Sequence, residues 1–159
     1  MIQDGFKIIE VSDGLIKSSC AREILVHLPE WFGNRQALDE YVETVSTLPF
    51  WAAYSADMRL VGFLAVKTHY GHTGDIYVCG VLPECHRAGI GKKLYAKAEA
   101  HFIHIGCRYV IVKTLSDKSN YEPYARTRRF YESMGFTPLI TLTEMWDEQN
   151  PCLIMLKVL

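Results

Sequence analysis

Residues 75–95 read Asp75-Ile76-Tyr77-Val78-Cys79-Gly80-Val81-Leu82-Pro83, then Glu84-Cys85-His86-Arg87-Ala88-Gly89-Ile90-Gly91, then Lys92-Lys93-Leu94-Tyr95. The first part predicts an apolar strand and the last part the start of a helix, with a glycine-containing turn between them. A helix N-terminus leaves several N–H groups without intrahelical partners, and its peptide dipoles add partial positive charge. Gly89 and Gly91 lack a Cβ atom, so a phosphate can come close to those N–H groups. Because Arg87, Lys92 and Lys93 add full positive charges, the stretch predicts a binding site for a phosphate anion.

The composition predicts one globular domain over residues 1–159. Apolar residues make up 49% of the chain and charged residues 22%, as in ordinary globular proteins. The formal net charge of -1 provides no basic field that would favour nucleic acid. We expect no membrane span, because no apolar run reaches 18 residues. The segment Met1–Lys7 has an early acid and no long apolar core, so it does not predict a signal peptide.

The cysteines and histidines predict neither disulfides nor a metal site. The chain has five cysteines and no C-x-x-C pair, which favours free thiols in a reducing cytoplasm. Four histidines lie outside any ligand spacing and are interpreted as surface or loop residues: His69, His72, His101 and His104.

The periodicity of the whole chain predicts a mixed α/β fold. Strands are expected at 6–11, 50–55, 60–67, 75–82, 109–114, 137–142 and 152–158. Helices are expected at 13–27, from Asn34 to before Pro49, from Ile90 to Ile105, and at 124–134. The apolar run 109–114 favours a strand buried on both faces, and an acidic loop is expected at 144–148. A strand, a helix and a further strand in this order imply a parallel pair, flanked here by antiparallel hairpins.

Two nucleotide-binding motifs match the glycine turn poorly. A P-loop requires Ser or Thr after its Gly-Lys, and Lys93 stands at that position. A Rossmann fingerprint requires a third glycine where Leu94 stands, and a parallel series of strands where antiparallel strands are predicted.

The turn resembles instead the acetyl-CoA-binding motif of the GNAT superfamily, the acyl-CoA-dependent N-acyltransferases. The family signature is Gln/Arg-x-x-Gly-x-Gly/Ala after a strand that ends near Val-x-Pro. Here the signature reads His86-Arg87-Ala88-Gly89-Ile90-Gly91 after Val81-Leu82-Pro83, with His86 departing from the usual Gln or Arg.

A second stretch, Arg129-Phe130-Tyr131-Glu132-Ser133-Met134-Gly135-Phe136, looks like the family's Phe-Tyr-x-x-x-Gly-Phe. Many members carry Asn and Ala six and three residues before its first Phe, where Tyr124 and Thr127 stand here. The predicted order β-α-α-β-β-β-α-β-α-β-β also matches the GNAT fold, with its splayed parallel pair of strands in the centre.

The resemblance implies a mechanism and the residues that perform it. Backbone groups of Cys79, Val81 and Leu82 would pair with the pantetheine arm, and the turn from His86 to Lys92 would bind the pyrophosphate. Tyr131 is the candidate general acid for the leaving thiolate; its alternative is a core aromatic. Asp75 is the candidate general base, because the histone-acetylating branch carries a glutamate at a matching strand position. The alternative for Asp75 is a solvated acid at the start of a strand, with Tyr77 as a second candidate base.

The family fold also indicates where the acceptor binds. Loops between the first two helices and between the last two strands flank the acyl end, and here they contain Glu30, Trp31 and Phe32, and Trp146. Aromatic faces beside carboxylates suit a cationic amine. Alternatively, the two tryptophans cover the edge of the core.

The resemblance therefore implies a cytoplasmic N-acetyltransferase that moves an acetyl group from acetyl-CoA to a primary amine of a small molecule or peptide. Two alternatives stay open: a catalytically silent acyl-CoA sensor with the same fold, and a nucleotide-binding phosphotransferase. The final strands could pair between subunits, which would give a homodimer.

Overall fold

The computed structural model describes residues 5–159 and has the mixed α/β architecture that the sequence predicts. Residues 1–4 lie outside the described residues. They make up most of the segment that was expected not to be a signal peptide. The elements in chain order are β1 (Lys7–Glu10), α1 (Gly14–Leu25), α2 (Arg35–Thr44), β2 (Phe50–Tyr54), β3 (Leu60–His69), β4 (Thr73–Val81), α3 (Ile90–His104), β5 (Tyr109–Leu115), α4 (Glu122–Ser133), β6 (Thr137–Asp147) and β7 (Asn150–Val158). The strands form one seven-stranded sheet in the order β1-β2-β3-β4-β5-β7-β6.

The described chain divides into two compact units, of which the first comprises residues 5–67 and 77–101. The helices α1 and α2 of this unit each begin with a side-chain cap. The Asp13 carboxylate accepts hydrogen bonds from the N–H groups of Leu15 and Ile16, and the Asn34 side chain accepts one from Ala37. These side chains satisfy N–H groups that the first helical turn leaves without partners, which is why α1 and α2 begin at these positions.

The helix α1 packs closely on β4 in this unit. A Cβ atom at Gly80 would lie 2.7 Å from Leu28 Cδ1 and 3.1 Å from Ile24 Cγ2. A Cβ atom at this position would force these side chains to move, so glycine suits the close approach. Phe50 and Phe63 stack beneath with ring centroids 5.2 Å apart, and neither ring is exposed.

The second unit comprises residues 68–76 and 102–159, and it contains the parallel pair. The predicted parallel pairing of β4 with β5 is confirmed, from Thr73 opposite Tyr109 to Ile76 opposite Val112. The ladder spans only four residues of each strand, whereas β4 continues to Val81 and β5 to Leu115.

One burial prediction for this unit was wrong. The strand β5 is not buried on both faces, since Lys113 is exposed and Ile111 partly exposed while Val110 and Val112 are buried. Such alternation is typical of a strand with one well-covered face. The helix α3 ends at His104, one residue before the expected Ile105, which is 42% exposed.

The predicted acidic loop at 144–148 was also wrong, because most of it belongs to β6. Leu142 pairs with Cys152 and Asp147 with Asn150, so four residues of β6, 143–146, bulge opposite Pro151 alone. The Asp147 carboxylate accepts hydrogen bonds from the backbone N–H groups of Gln149 and Asn150 at 2.9 Å. This aspartate closes a two-residue turn, which shortens the loop that the acidic run was predicted to form.

Candidate functional site

The glycine turn has the backbone geometry of an anion site. The N–H of Lys93 donates to the carbonyl of Gly89 at 3.1 Å, and α3 begins at Ile90, so the preceding N–H groups lie outside the helical ladder. Gly89 has a φ of +80°, and a Cβ atom there would meet no atom within 4 Å. Glycine is therefore required by the backbone conformation rather than by space. Ile90, only 1% exposed, anchors the turn, while Arg87 and Lys92 are exposed beside it.

His86 connects the turn to the end of β4 by a hydrogen bond. It stands at the position where the family usually has Gln or Arg. Its Nε2 lies 2.8 Å from the carbonyl oxygen of Val81, to which it donates a hydrogen bond. The ring of Trp31 meets the His86 ring edge to face, with centroids 5.9 Å apart. The sequence did not indicate this contact, because 55 residues separate the two rings along the chain.

The backbone of β4 presents only part of the surface that the resemblance implied. The N–H of Leu82 donates to Val61 at 2.9 Å and the carbonyl of Leu82 accepts from Cys85 at 2.9 Å, so both groups are bonded within the protein. Backbone groups of successive strand residues point to alternate sides of the strand. The groups of Cys79 and the N–H of Val81 therefore point away from β3, while the Val81 carbonyl accepts from His86.

A cavity of about 500 Å³ adjoins the turn. His86, Arg87 and Ala88 line one side of it, and the ion pair of Arg59 with Glu84, 2.6 Å long, lines another. A backbone hydrogen bond, and after it the Arg59 guanidinium, hold the pKa of Glu84 below its ordinary value. Charges of both signs therefore border the turn on this side.

Phe32, one of the predicted acceptor residues of the first unit, belongs to a line of aromatic rings. Phe32 meets Tyr41 edge to face at 5.8 Å, and Tyr41 meets Tyr77 at 5.3 Å between ring centroids. The Nζ atom of Lys67 lies 4.1 Å from the centroid of the Tyr77 ring, so this face already holds a cation of the protein. Glu30, from the same interhelical segment, is exposed. The contacts of Tyr41 and Lys67 with Tyr77 were not predicted, because no pattern in the neighbouring sequence indicates them.

In the second unit, Asp75 is buried, so the alternative of a solvated acid is wrong. The residue is 3% exposed, and its Oδ2 lies 2.7 Å from His69 Nε2 and 3.8 Å from Lys113 Nζ. His69 was interpreted as a surface or loop residue; it is the last residue of β3, and its side chain is 41% exposed. The contact between His69 and Asp75 was not predicted from the sequence. The tight β3–β4 hairpin could have indicated it, because such a hairpin brings residues six apart to opposite strands.

Tyr131 lies in α4 and is 5% exposed. Its ring contacts Phe130 and Phe136, with centroid distances of 5.4 and 5.6 Å. The ring therefore belongs to an aromatic cluster, and the role of its hydroxyl as an acid stays a prediction. Trp146 lies in the bulge of β6 and is 45% exposed.

No helix within residues 5–159 combines the length and the apolar character that crossing a bilayer requires. Within the same range, no three His, Cys, Asp or Glu side chains gather as ligands of a metal ion.

Comparisons with known proteins agree on one family. A sequence model of the acetyltransferase (GNAT) family matches residues 20–136. An uncharacterized N-acetyltransferase of Methanocaldococcus jannaschii is 26% identical over 132 residues, covering 78% of this chain and 80% of the other.

Two crystal structures of acetyltransferases share the fold. A GNAT family acetyltransferase from Elizabethkingia anophelis with acetyl-CoA bound has a TM-score of 0.74 at 12% identity, covering 98% of this chain and 99% of the other. An aminoglycoside 6'-N-acetyltransferase complexed with coenzyme A has a TM-score of 0.71 at 20% identity, covering 96% of each chain. At these identities the structures show the fold alone.

Proposed function

Because the chain belongs to the GNAT family of acetyltransferases, we propose that it transfers an acetyl group from acetyl-CoA to a primary amine of a small molecule or peptide. The amine attacks the thioester directly in a ternary complex. The observation that carries this proposal is the turn at Gly89, whose positive φ and position before α3 suit a pyrophosphate.

The cofactor is held by the turn and by β4. N–H groups at the start of α3 bind the pyrophosphate, with Arg87 and Lys92 adding charge-assisted contacts. Cys79 and Val81 align the pantetheine arm through the backbone groups that point away from β3. Two similar proteins hold acetyl-CoA or coenzyme A in their crystal structures, which supports this assignment.

The chemistry requires a neutral amine, a polarised carbonyl and a proton for the leaving thiolate. The amine nitrogen bonds to the carbonyl carbon, the C–S bond breaks, and the thiolate takes a proton from the Tyr131 hydroxyl. The proton that the nitrogen loses on becoming an amide restores that hydroxyl. The Cys79 N–H polarises the carbonyl oxygen. The negative charge of Asp75 favours removal of the proton from the amine.

A cationic amine suits the acceptor side of the site. The resemblance implies that two segments flank the acceptor, one with Glu30, Trp31 and Phe32 and the other with Trp146, which supply a carboxylate and aromatic faces. Such groups attract an ammonium ion before it loses its proton. The identity of the amine is the property to be found by experiment.

The test follows free thiol release from acetyl-CoA with a panel of amines, with calorimetric titration of CoA in parallel. We expect amine-dependent thiol release, and a melting temperature raised by CoA but not by ATP–magnesium. Tyr131→Phe should lower kcat by about 10²-fold or more, as removal of a general acid does. Tyr70→Phe, which alters a hydroxyl on a residue 94% exposed, serves as the control.

Different outcomes would separate the alternatives. CoA binding without turnover of any amine, with Tyr131→Phe behaving as the parent, would indicate a sensor. Stabilisation by ATP–magnesium and not by CoA would indicate a phosphotransferase.

A further inference from the structure

Three charged or titratable side chains from adjacent strands meet at one point of the second unit. His69 ends β3, Asp75 lies in β4, and Lys113 lies in β5. Asp75 Oδ2 is 2.7 Å from His69 Nε2 and 3.8 Å from Lys113 Nζ. The contact with His69 has hydrogen-bond length, whereas the contact with Lys113 is a longer ion pair.

The burial of the three side chains differs sharply. The Asp75 side chain is 5% exposed, the His69 side chain 41% and the Lys113 side chain 38%. A carboxylate removed from water needs a partner of opposite charge. Lys113 supplies a positive charge on one side of the carboxylate, and His69 supplies a hydrogen-bond partner on the other.

The hydrogen bond determines which ring nitrogen of a neutral His69 carries the proton. An ionised carboxylate only accepts, so Nε2 must donate to Asp75 Oδ2. Nδ1 then carries the lone pair. A base whose second nitrogen donates to a buried carboxylate is the arrangement by which enzymes orient an imidazole and stabilise its protonated form.

We propose that His69 Nδ1 is the general base of the acetyl transfer and that Asp75 is its positioning residue. This proposal rests on the proposed function, since it requires an amine acceptor. The proton leaves the acceptor ammonium for Nδ1, directly or through one water, and the neutral amine then attacks the thioester. The imidazolium releases that proton to solvent, so the net products are the amide, CoA thiol and one proton.

Accessibility distinguishes His69 from Asp75 as the proton acceptor. Asp75 is almost fully enclosed, and its Oδ2 is already occupied by His69. His69 is the exposed member of the pair, so a substrate or a water can reach it. Asp75 then acts through His69 rather than on the amine.

The test measures kcat/KM for an amine that the panel has identified, between pH 5.5 and 9.5, in the parent and three variants. The parent should show an acid limb in the range where imidazoles titrate, about pH 5–8. His69→Gln should lower kcat at pH 7 by about 10²-fold. Its remaining rate should rise with pH as more of the amine becomes neutral.

Asp75→Asn provides the second reading, because it keeps the shape of the side chain and removes its charge. Without the carboxylate the ring of His69 loses the acceptor that orients it, so kcat should fall by about tenfold while the KM for the amine stays nearly unchanged. His72→Gln is the matched control. His72 lies in the same hairpin, but its Nδ1 contacts Thr73 Oγ1 at 2.7 Å rather than Asp75.

The outcomes separate this inference from the function on which it rests. If the parent binds CoA and acetylates no amine, the proposed function fails. If the parent is active and His69→Gln keeps its kcat and its acid limb, the inference is overturned and the function stands. Should His69→Gln lose its cooperative melting transition, Asp75→Asn decides: a lower kcat at an unchanged KM supports the inference, and an unchanged kcat overturns it.

Discussion

Substituting alanine for two glycines separates backbone strain from cofactor binding. Gly89 in the phosphate turn has a φ of +80°, and Gly71 in the β3–β4 turn has a φ of +70°. A Cβ atom would meet nothing within 4 Å at either position. The two substitutions therefore impose the same kind of strain and no steric clash.

The expected loss of stability follows from the conformation alone. An alanine in the left-handed region costs roughly 1–2 kcal/mol. For a chain of this size each kcal/mol lowers the melting temperature by about 2–4 °C, so both variants should melt a few degrees below the parent.

Cofactor affinity should fall in only one of the two variants. Gly89→Ala alters the N–H groups that face the pyrophosphate, and a hydrogen bond to a charged group contributes about 1.5–3 kcal/mol. The CoA dissociation constant should therefore rise by roughly one to two orders of magnitude. Gly71→Ala should leave it unchanged.

Scanning calorimetry without cofactor and titration calorimetry with CoA measure the two effects. If both substitutions weakened CoA binding equally, global strain would explain the loss of affinity. The prediction that only Gly89→Ala weakens CoA binding would then be wrong. Unchanged CoA affinity in Gly89→Ala would refute the assignment of the turn.

Gly80→Ala should destabilise the chain by about 1–3 kcal/mol, because its Cβ would lie 2.7 Å from Leu28 Cδ1. An unchanged calorimetric melting temperature would show that α1 moves aside without a cost in stability. His86→Ala removes the bond to the end of β4 and should raise the KM for acetyl-CoA about fivefold, equivalent to about 1 kcal/mol. His27→Ala is its control, because His27 bonds a carbonyl within α1, and equal effects would count against a special role for His86. Burial raises the pKa of the Cys152 thiol, so the unfolded chain loses this proton first above about pH 8.5. The free energy of unfolding should then fall as pH rises, by at most about 1.4 kcal/mol per pH unit for this group. Urea titrations at pH 7.5 and 9.5 should show a smaller fall in Cys152→Ala than in the parent. An equal fall in both proteins would exclude a contribution from this thiol.

The features that the sequence predicted well depend on neighbouring residues. Asp13 and Asn34 cap their helices through bonds to residues two or three positions away. The turn at Gly89 was likewise evident, because its glycine, its cations and the following helix are contiguous. The parallel pair followed from the order of a strand, a helix and a strand.

The features that it missed depend on pairing between distant segments. Nothing near His86 indicates that Trp31 meets its ring, and the burial of Asp75 depends on how β3, β4 and β5 align. The acidic run at 144–148 was interpreted as a loop between the last two strands. These residues are indeed exposed, but the hydrogen bonds of the Asp147 side chain close the hairpin later than predicted.

The four-residue bulge in β6 has a consequence for solubility. β6 is the last strand in the order of the sheet, and its exposed apolar residues include Leu139, Ile140, Met145 and Trp146. A long, flat and apolar strand at the end of a sheet is a template for aggregation, and bulges interrupt such edges. Met145 and Trp146 lie in the irregular segment 143–146, outside the regular pairing that includes Ile140, so the apolar residues of β6 do not form one continuous flat edge.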